Sequence, residues 1–471
     1  MSHAEILHAA EPSHATDSLV GFVHGLSHGR LPAEVAYYAK RHLLDTIGVM
    51  IAGADGDVAT KAEAVVASVR GTGAARGTVA VPVPGRARRA DLLDAAFLGG
   101  TAAHGIELDD GYRHGSAHCG CVVVPGALAV GYCRQASGKD LLAAIVAGYE
   151  TAIALARACY PGLRQRGFHP TGAVGPFGAA MAAGKLLGLG ADQLGNALGI
   201  AASSAAGLFA FINGGADIKR LHAGHAAREG VQAALLAERG VQGPPGVIEA
   251  RDGFMQAFAL GRAEPARAIK LPPDLPFGIT DCYIKPYACC RHIQPAVEAL
   301  IELLTAENIA AEDVRGVEVE TYRVAAEHAQ TGWDDFASAQ LSFPYLMALA
   351  LRFRGIRLEH FSADARGDPA LAEFASKIHV SAPSEIDRLY PNLRPARVTV
   401  RTSRGTFART ADEALGSRQL PLDDEGLKRK FHGLVGPVLG PGQARDIAER
   451  VWSIEEIDDV APLVEMLAKP A

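Results

Sequence analysis

The sequence predicts an α+β protein, a large all-helical bundle with a smaller α/β domain inserted near its C-terminal end. Three observations lead there. Apolar residues recur at helical spacing through the first two-thirds of the chain. The pattern switches to period-two alternation after residue 282, and helical spacing returns from Leu420. At 471 residues the chain is too long for one ordinary core. The expected division is 1–282 for the first part of the helical domain, 283–417 for the inserted α/β domain and 418–471 for the returning helical part.

Taken in order, LPAEVAYYAKRHLLDTIGVMIAG places Val35, Ala39, Leu43, Ile47 and Met50 at helical spacing, with Pro32 where a first turn tolerates it. Leu92 to Gly105, Val122 to Arg134, Lys139 to Cys159, Pro176 to Leu187 and Leu221 to Arg239 read as further helices. Their many Ala and Gly residues let helices approach closely. Gln193 to Ala216 runs twenty-four residues without a charge. That is long enough to cross a bilayer, but Ala, Gly and Ser dominate it, so a close-packed buried helix pair is expected and no membrane association. In VRGVEVETYRV, Val317, Val319 and Thr321 face one way and Glu318 and Glu320 the other; ARVTVRTSRGTF alternates again and turns at Ser403–Gly405. Helices near Pro295–Ala306 and Ala337–Leu351 complete the inserted domain. LDDEGLKRKFHGLV opens with acids and follows with bases, as a helix dipole prefers.

Charged residues make up 21% of the chain and the formal net charge is −6. No basic stripe points to nucleic acid. The N-terminus lacks a basic region followed by an apolar core, so no secretory signal is expected. Seven cysteines without disulfide-scaffold spacing favour a reducing, cytoplasmic setting.

One stretch stands out against this mild background. HGIELDDGYRHGSAHCG, His104 to Gly120, gathers three acids, three histidines and an arginine in seventeen residues. Burying such a cluster costs desolvation energy, so it is either solvated surface or a functional site with shifted pKa values. Its glycines place it on a loop between apolar segments, where catalytic groups usually sit. Glu107, Asp109 and Asp110 are close enough that at least one carboxyl pKa is expected to rise. Three further places carry titratable groups beside glycine or proline: GFHPTGAVGPFG with His169, FINGGADIKRLHAGHAA with Lys219, and YIKPYACCRHIQPA with Lys285, Cys289, Cys290, Arg291 and His292. Three chemistries are open to such a set. A metal site would use His114, His118, Cys119 and Cys121, but Cys-x-Cys beside a histidine is cramped for tetrahedral zinc. A cysteine nucleophile would be Cys119 or Cys290, neither with a familiar local signature. Acid–base chemistry on a small anion would use His and Glu/Asp to move protons while Lys and Arg hold carboxylates.

These motifs together resemble the MmgE/PrpD family over nearly the whole chain: HGIELDDGYRHGSAHCGCVVVPGALA, GFHPTGAVG, DIKRLHAGHAA, KPYACCRHIQPA, AQLSFPYLMALAL and LKRKFHGLV stand in the family's order. The resemblance implies a helical domain with a smaller α/β lid, a homodimer, an active site in the cleft between them, and no metal or organic cofactor. Family activities include 2-methylcitrate dehydratase, cis-aconitate decarboxylase and iminodisuccinate epimerase, which share a small di- or tricarboxylate and proton transfer beside a carboxylate. Carried over by position, His118, His169, Glu107, Lys219 and Lys285 are the expected catalytic set. Lys219 and Lys285, with Asp109, Asp110, Cys290 and Arg291, are the expected substrate contacts. The first acid, often Asp in the family, is Glu107; Gly111 stands where a Thr often follows the acids, and Cys119 where a Pro follows the signature His. Cys290 occupies the place, five residues after the second lysine, where the decarboxylase pattern has a His. The expectation is a cofactor-independent lyase, most simply a hydro-lyase of a 2-hydroxy polycarboxylate, with an epimerase or a decarboxylase as alternatives.

Overall fold

The computed structural model describes residues 14–70, 79–213, 217–259 and 269–470. Helices α1 (His14–Gly25), α2 (Ala33–Gly53), α3 (Asp57–Arg70), α4 (Leu92–His104), α5 (Gly120–Arg134), α6 (Gly138–Cys159), α7 (Pro170–Leu186), α8 (Ala191–Ser203) and α9 (Ile218–Glu238) form the bundle. A short ladder, β1 (Val81–Pro82) with β2 (Arg89–Ala90), lies against α4. The small residues do what their size allows. Gly148 on α6 and Gly178 on α7 meet back to back; a Cβ on either would press within 2.8 Å of the other's carbonyl oxygen. Helix α6 is long and apolar enough to cross a membrane, but 89% of its apolar window is buried inside the fold.

The chain then builds a four-stranded sheet in the order β4-β3-β5-β6, from β3 (Val314–Thr321), β4 (Ile378–Ser381), β5 (Ala396–Thr402) and β6 (Gly405–Ala411). β3 runs parallel to β4 and antiparallel to β5, and β5 pairs antiparallel with β6. The alternation read from VRGVEVET is present: Val317, Val319 and Thr321 are buried while Glu318 is exposed. α10 (Gln294–Ala306) and α11 (Phe343–Phe353) cover the sheet, and their apolar residues share one core with Val317, Val319, Val398 and Val400. That core also takes in Val49, Ile106 and Leu108 of the helical part. α12 (Asp424–Leu439) and α13 (Pro441–Trp452) return to the first core through Phe431, Val435, Ile447 and Val451.

Three expectations need correction. Gln193 to Ala216 is not a helix pair. α8 ends at Ser203, Gly207 takes a left-handed φ of 101°, and a short 3-10 turn, Phe209–Asn213, follows; the last three residues of that stretch lie outside the described ones. The helix expected from Pro176 begins at Pro170, because proline's fixed φ suits a first helical turn. The stretch Ala337–Leu351 is interrupted: Phe336–Ala339 ends, and α11 starts at Phe343 after Ser342. Gln340, in the break, donates its amide to Ile106 O (2.7 Å) and Ala288 O (3.0 Å) and so ties the inserted domain to the bundle.

Candidate active site

The titratable stretch is the loop between α4 and α5. Gly105 caps α4, and Glu107 follows with a φ of 55°, a left-handed conformation that costs energy for any side chain but glycine. Four successive carbonyls hold it there. Gly105 O accepts from Arg220 Nε (2.9 Å), Ile106 O from Gln340, Glu107 O from Lys285 Nζ (3.1 Å) and Leu108 O from Lys430 Nζ (3.1 Å). Gly111 then pairs with Tyr283 through two backbone hydrogen bonds of 3.1 and 2.9 Å, which brings Lys285 alongside. The Gly111 departure has a steric cause: a Cβ there would collide with the Tyr283 ring.

The side chains converge on a cavity of about 420 Å³, within the range of small-molecule sites. Glu107, His118, His169, Lys219, Lys285, Cys290 and Arg291 line it. Glu107 is the electrostatic centre. Lys219 Nζ bonds Oε2, and Lys285 Nζ lies 3.0 Å from Oε1. Burial opposes ionisation of Glu107, but the two ammonium groups overcome it and hold the carboxyl well below its ordinary value. Burial likewise opposes the charge on Lys285, yet Glu107 and Asp109 push its pKa up. The expected rise in a carboxyl pKa is therefore reversed at Glu107 and at Asp109. At Asp109, burial is outweighed by His118 and His104.

His118 is the group best placed to move a proton. Its Nδ1 lies 2.6 Å from Asp110 O and 3.2 Å from Asp109 Oδ2. Both are acceptors, so Nδ1 carries the hydrogen and Nε2 keeps its lone pair for the cavity. His118 N–H donates to Thr171 Oγ1 (3.1 Å), on the first turn of α7. His169, the residue before α7, donates its N–H to Gly207 O (2.9 Å), and its Nδ1 lies 3.0 Å from His222 Nδ1. Burial holds the pKa of His169 well below the usual histidine value and takes that of His222 to about 4, so this pair is neutral, one ring donating to the other.

Asp109 and Asp110, expected at the substrate, stand behind the cavity instead. Asp109 is fully buried, with Oδ2 taken by His104 Nδ1 (2.7 Å) and His118. Asp110 accepts from Gly120 N (2.9 Å) and Tyr149 Oη (2.8 Å) and lies 3.0 Å from His42 Nδ1. Both acids shape the loop rather than face a ligand. Arg291 lines the cavity but spends its donors on Gln294 Oε1 (2.6 Å), Leu415 O (2.6 Å) and Ala414 O (2.9 Å), so it is a brace. Cys290 Sγ lies 3.7 Å from His328 Nε2. Burial raises the thiol pKa, but His328 more than reverses this and lowers it; His328 in turn is raised, its burial outweighed by Cys290. Cys121, Cys159, Cys282 and Cys289 are all pushed up by burial.

The metal set read from spacing is not assembled: His114 pairs with Asp281 at 3.3 Å, away from His118, which pairs with Asp109. A different trio, His104, Asp109 and Cys121, has ligand atoms within 4.8 Å of one another. There the His104 Nδ1 hydrogen is already given to Asp109, and burial keeps the Cys121 thiol protonated, so a cation would have to displace both protons. His104, His328, Tyr149, His42 and Arg394 were missed in the sequence. Only His104 had a signal, as the first residue of the quoted stretch.

The comparisons agree with this geometry. The MmgE/PrpD N-terminal domain matches residues 17–265 and the MmgE/PrpD C-terminal domain residues 287–456. The chain is 28% identical to a cis-aconitate decarboxylase of Aspergillus terreus, over 97% of this chain and 96% of that protein. It is 27% identical to the cis-aconitate decarboxylase of Homo sapiens (97% and 95%) and 26% identical to that of Mus musculus (97% and 94%). With both family domains matched in order across the fold and the motif residues gathered at one cavity, the chain belongs to the MmgE/PrpD family.

Proposed function

We propose that this protein is a lyase of small tricarboxylates, and first a carboxy-lyase that removes CO2 from an unsaturated tricarboxylate of the cis-aconitate class. The observation that carries the proton-transfer part is His118: its Nδ1 is committed to two acceptors, leaving Nε2 on a cavity that also holds the ammonium groups of Lys219 and Lys285. The full-length similarity to three decarboxylases supports the choice of substrate class.

The chemistry follows from the charges. A substrate carboxylate shares Lys219 and Lys285 with Glu107. As the bond to the departing CO2 breaks, its electron pair spreads through the double bond onto a remaining carboxylate. Preorganised ammonium groups stabilise that enolate-like charge without reorganising. His118, having taken up a solvent proton at Nε2, delivers it to the carbon beside that carboxylate, while its Nδ1 stays paired with Asp109. Each turnover consumes one proton and releases CO2 and an unsaturated dicarboxylate.

Water loss from a 2-hydroxy tricarboxylate is the second reading. It is favoured by Cys290, which stands where the decarboxylase pattern has a histidine; against that, the fold brings the imidazole of His328 to the same thiol. The test is proton NMR in D2O with cis-aconitate and, separately, 2-methylcitrate, each with and without EDTA. Loss of cis-aconitate with CO2 and a deuterated dicarboxylate alkene establishes the decarboxylase. An alkene formed only from 2-methylcitrate establishes the hydro-lyase. Proton washout without product points to an isomerase, and inhibition by EDTA would overturn the metal-free route.

A further inference from the structure

Arg394 lies just before β5, is 7% exposed and lines the cavity. Among the described residues no carboxylate comes within ion-pair distance of it, and its Nε is buried without a hydrogen-bond partner. Glu413, which acts on it from farther off, is engaged by Arg113. Its other electrostatic neighbours are the phenols of Tyr322, Tyr283 and Tyr390. Tyr322 and Tyr390 stack at 4.7 Å, and Tyr322 Oη lies 2.7 Å from His292 Nδ1, so this wall is fixed.

The other buried arginines are all served. Arg41 meets Asp424 and Leu422 O, Arg220 donates to Gly105 O, and Arg291 to Gln294 and two carbonyls. Arg164, which also lines the cavity, is exposed and lies 3.6 Å over the Phe209 ring. Burying a guanidinium without a counter-charge is unfavourable, and that cost is recovered when an anion arrives. The two lysines cannot serve as that free charge, because Glu107 already compensates them.

We infer that Arg394 is the anchor for a further substrate carboxylate, apart from the Lys219–Glu107–Lys285 centre, and that it sets the preference for tricarboxylates over dicarboxylates. The inference rests on the carboxylate reading above. A planar guanidinium can grip a carboxylate through two parallel hydrogen bonds, which gives both affinity and orientation. Arg394 is thus a binding and specificity residue; the proton transfer stays with His118.

The test is titration calorimetry on the full-length protein with tricarballylate, glutarate and succinate, none of which can lose water or a β-carboxylate. Wild type is expected to bind tricarballylate at least about tenfold more tightly than the better dicarboxylate, and Arg394→Gln to reduce that preference to about threefold or less. Arg394→Lys, which keeps the charge without the fork, should lie between them and decides the matter if Arg394→Gln does not fold. The ligand-free melting temperature of Arg394→Gln should equal or exceed that of wild type, because an unpaired buried charge is removed; a purely structural arginine would lower it. A tricarboxylate preference that survives Arg394→Gln, or survives in full in Arg394→Lys when Arg394→Gln is unfolded, overturns the inference alone. Failure of wild type to bind any of the three acids overturns the carboxylate reading with it.

Discussion

Glu107→Gln is the perturbation that most directly tests the electrostatic centre. The substitution keeps size and an acceptor oxygen but removes the charge shared by Lys219 and Lys285. Lys285 is fully buried and the Lys219 side chain only 17% exposed. Breaking such a pair leaves uncompensated buried charge, at a cost of about 3–5 kcal/mol. With unfolding entropy of about 2.1 cal/mol/K per residue, a helical domain of roughly 340 residues loses about 1.4 °C per kcal/mol, so the first transition should fall by about 4–7 °C. The same change frees two ammonium groups for an external anion. Tricarballylate should therefore raise the melting temperature of Glu107→Gln by more than it raises that of wild type, although the variant turns over substrate more slowly. Differential scanning calorimetry with and without the acid measures both effects. A variant as stable as wild type, or one that gains no more from tricarballylate, would refute the idea that Glu107 holds the lysines.

Three other outcomes follow. His118→Asn should lower kcat by about 10²–10⁴ with little change in KM, as expected for a lost acid–base group; an equal rise in KM would instead make His118 a binding residue. Iodoacetamide at neutral pH should label Cys290 before the other six cysteines, tricarballylate should protect it, and His328→Ala should slow the reaction, all read by peptide mass mapping; preferential labelling elsewhere sinks the thiol–imidazole pairing. Glu150 is buried and accepts from Gly278 N and Ile279 N, both at 2.9 Å, and burial lifts its pKa to about 7 despite those bonds. A raised carboxyl contributes stability that is full below its unfolded value and is lost as pH rises through about 7. The destabilisation caused by Glu150→Gln should therefore shrink between pH 5 and pH 8, and a constant difference in urea midpoint would show that Glu150 does not titrate there.

What the sequence made legible was whatever repeats or punctuates. Helical and strand periods placed most elements, because each period records which face is buried. Glycine and proline marked the four places that supply cavity residues: Glu107 and His118, His169, Lys219, and Lys285 with Cys290. What it hid was pairing across long separations. Asp109 and Asp110 looked like their neighbour Glu107, yet the loop turns them inward to His104, Tyr149 and His42. Tyr149 and His42 sit on apolar helices with no local sign that they serve an acid. His328 and Arg394 lie 38 and 104 residues beyond Cys290, in segments without a motif, and only the fold of the inserted domain brings them to the cavity. The uncharged stretch after Gln193 misled for the opposite reason: its composition suggested burial throughout, but beyond α8 Gly207 turns the chain and Leu208 and Ile212 are exposed.

The detour of the chain also explains how Glu107 keeps its strained backbone. The four carbonyls from Gly105 to Leu108 accept from Arg220 in the bundle, Gln340 in the inserted domain, Lys285 at the entry to that domain and Lys430 on the helix that returns from it. Lys430 is itself fixed by Asp45 at 2.5 Å. The donors come from all three parts of the chain, so the left-handed φ of Glu107 is held by the assembled tertiary structure. Separating the inserted domain from the bundle would remove the Gln340 donor and leave Ile106 O unserved beside the strained residue. The geometry of the carboxylate that organises both lysines is therefore coupled to closure of the domain interface, and the catalytic centre is complete only when the three parts of the chain are packed together.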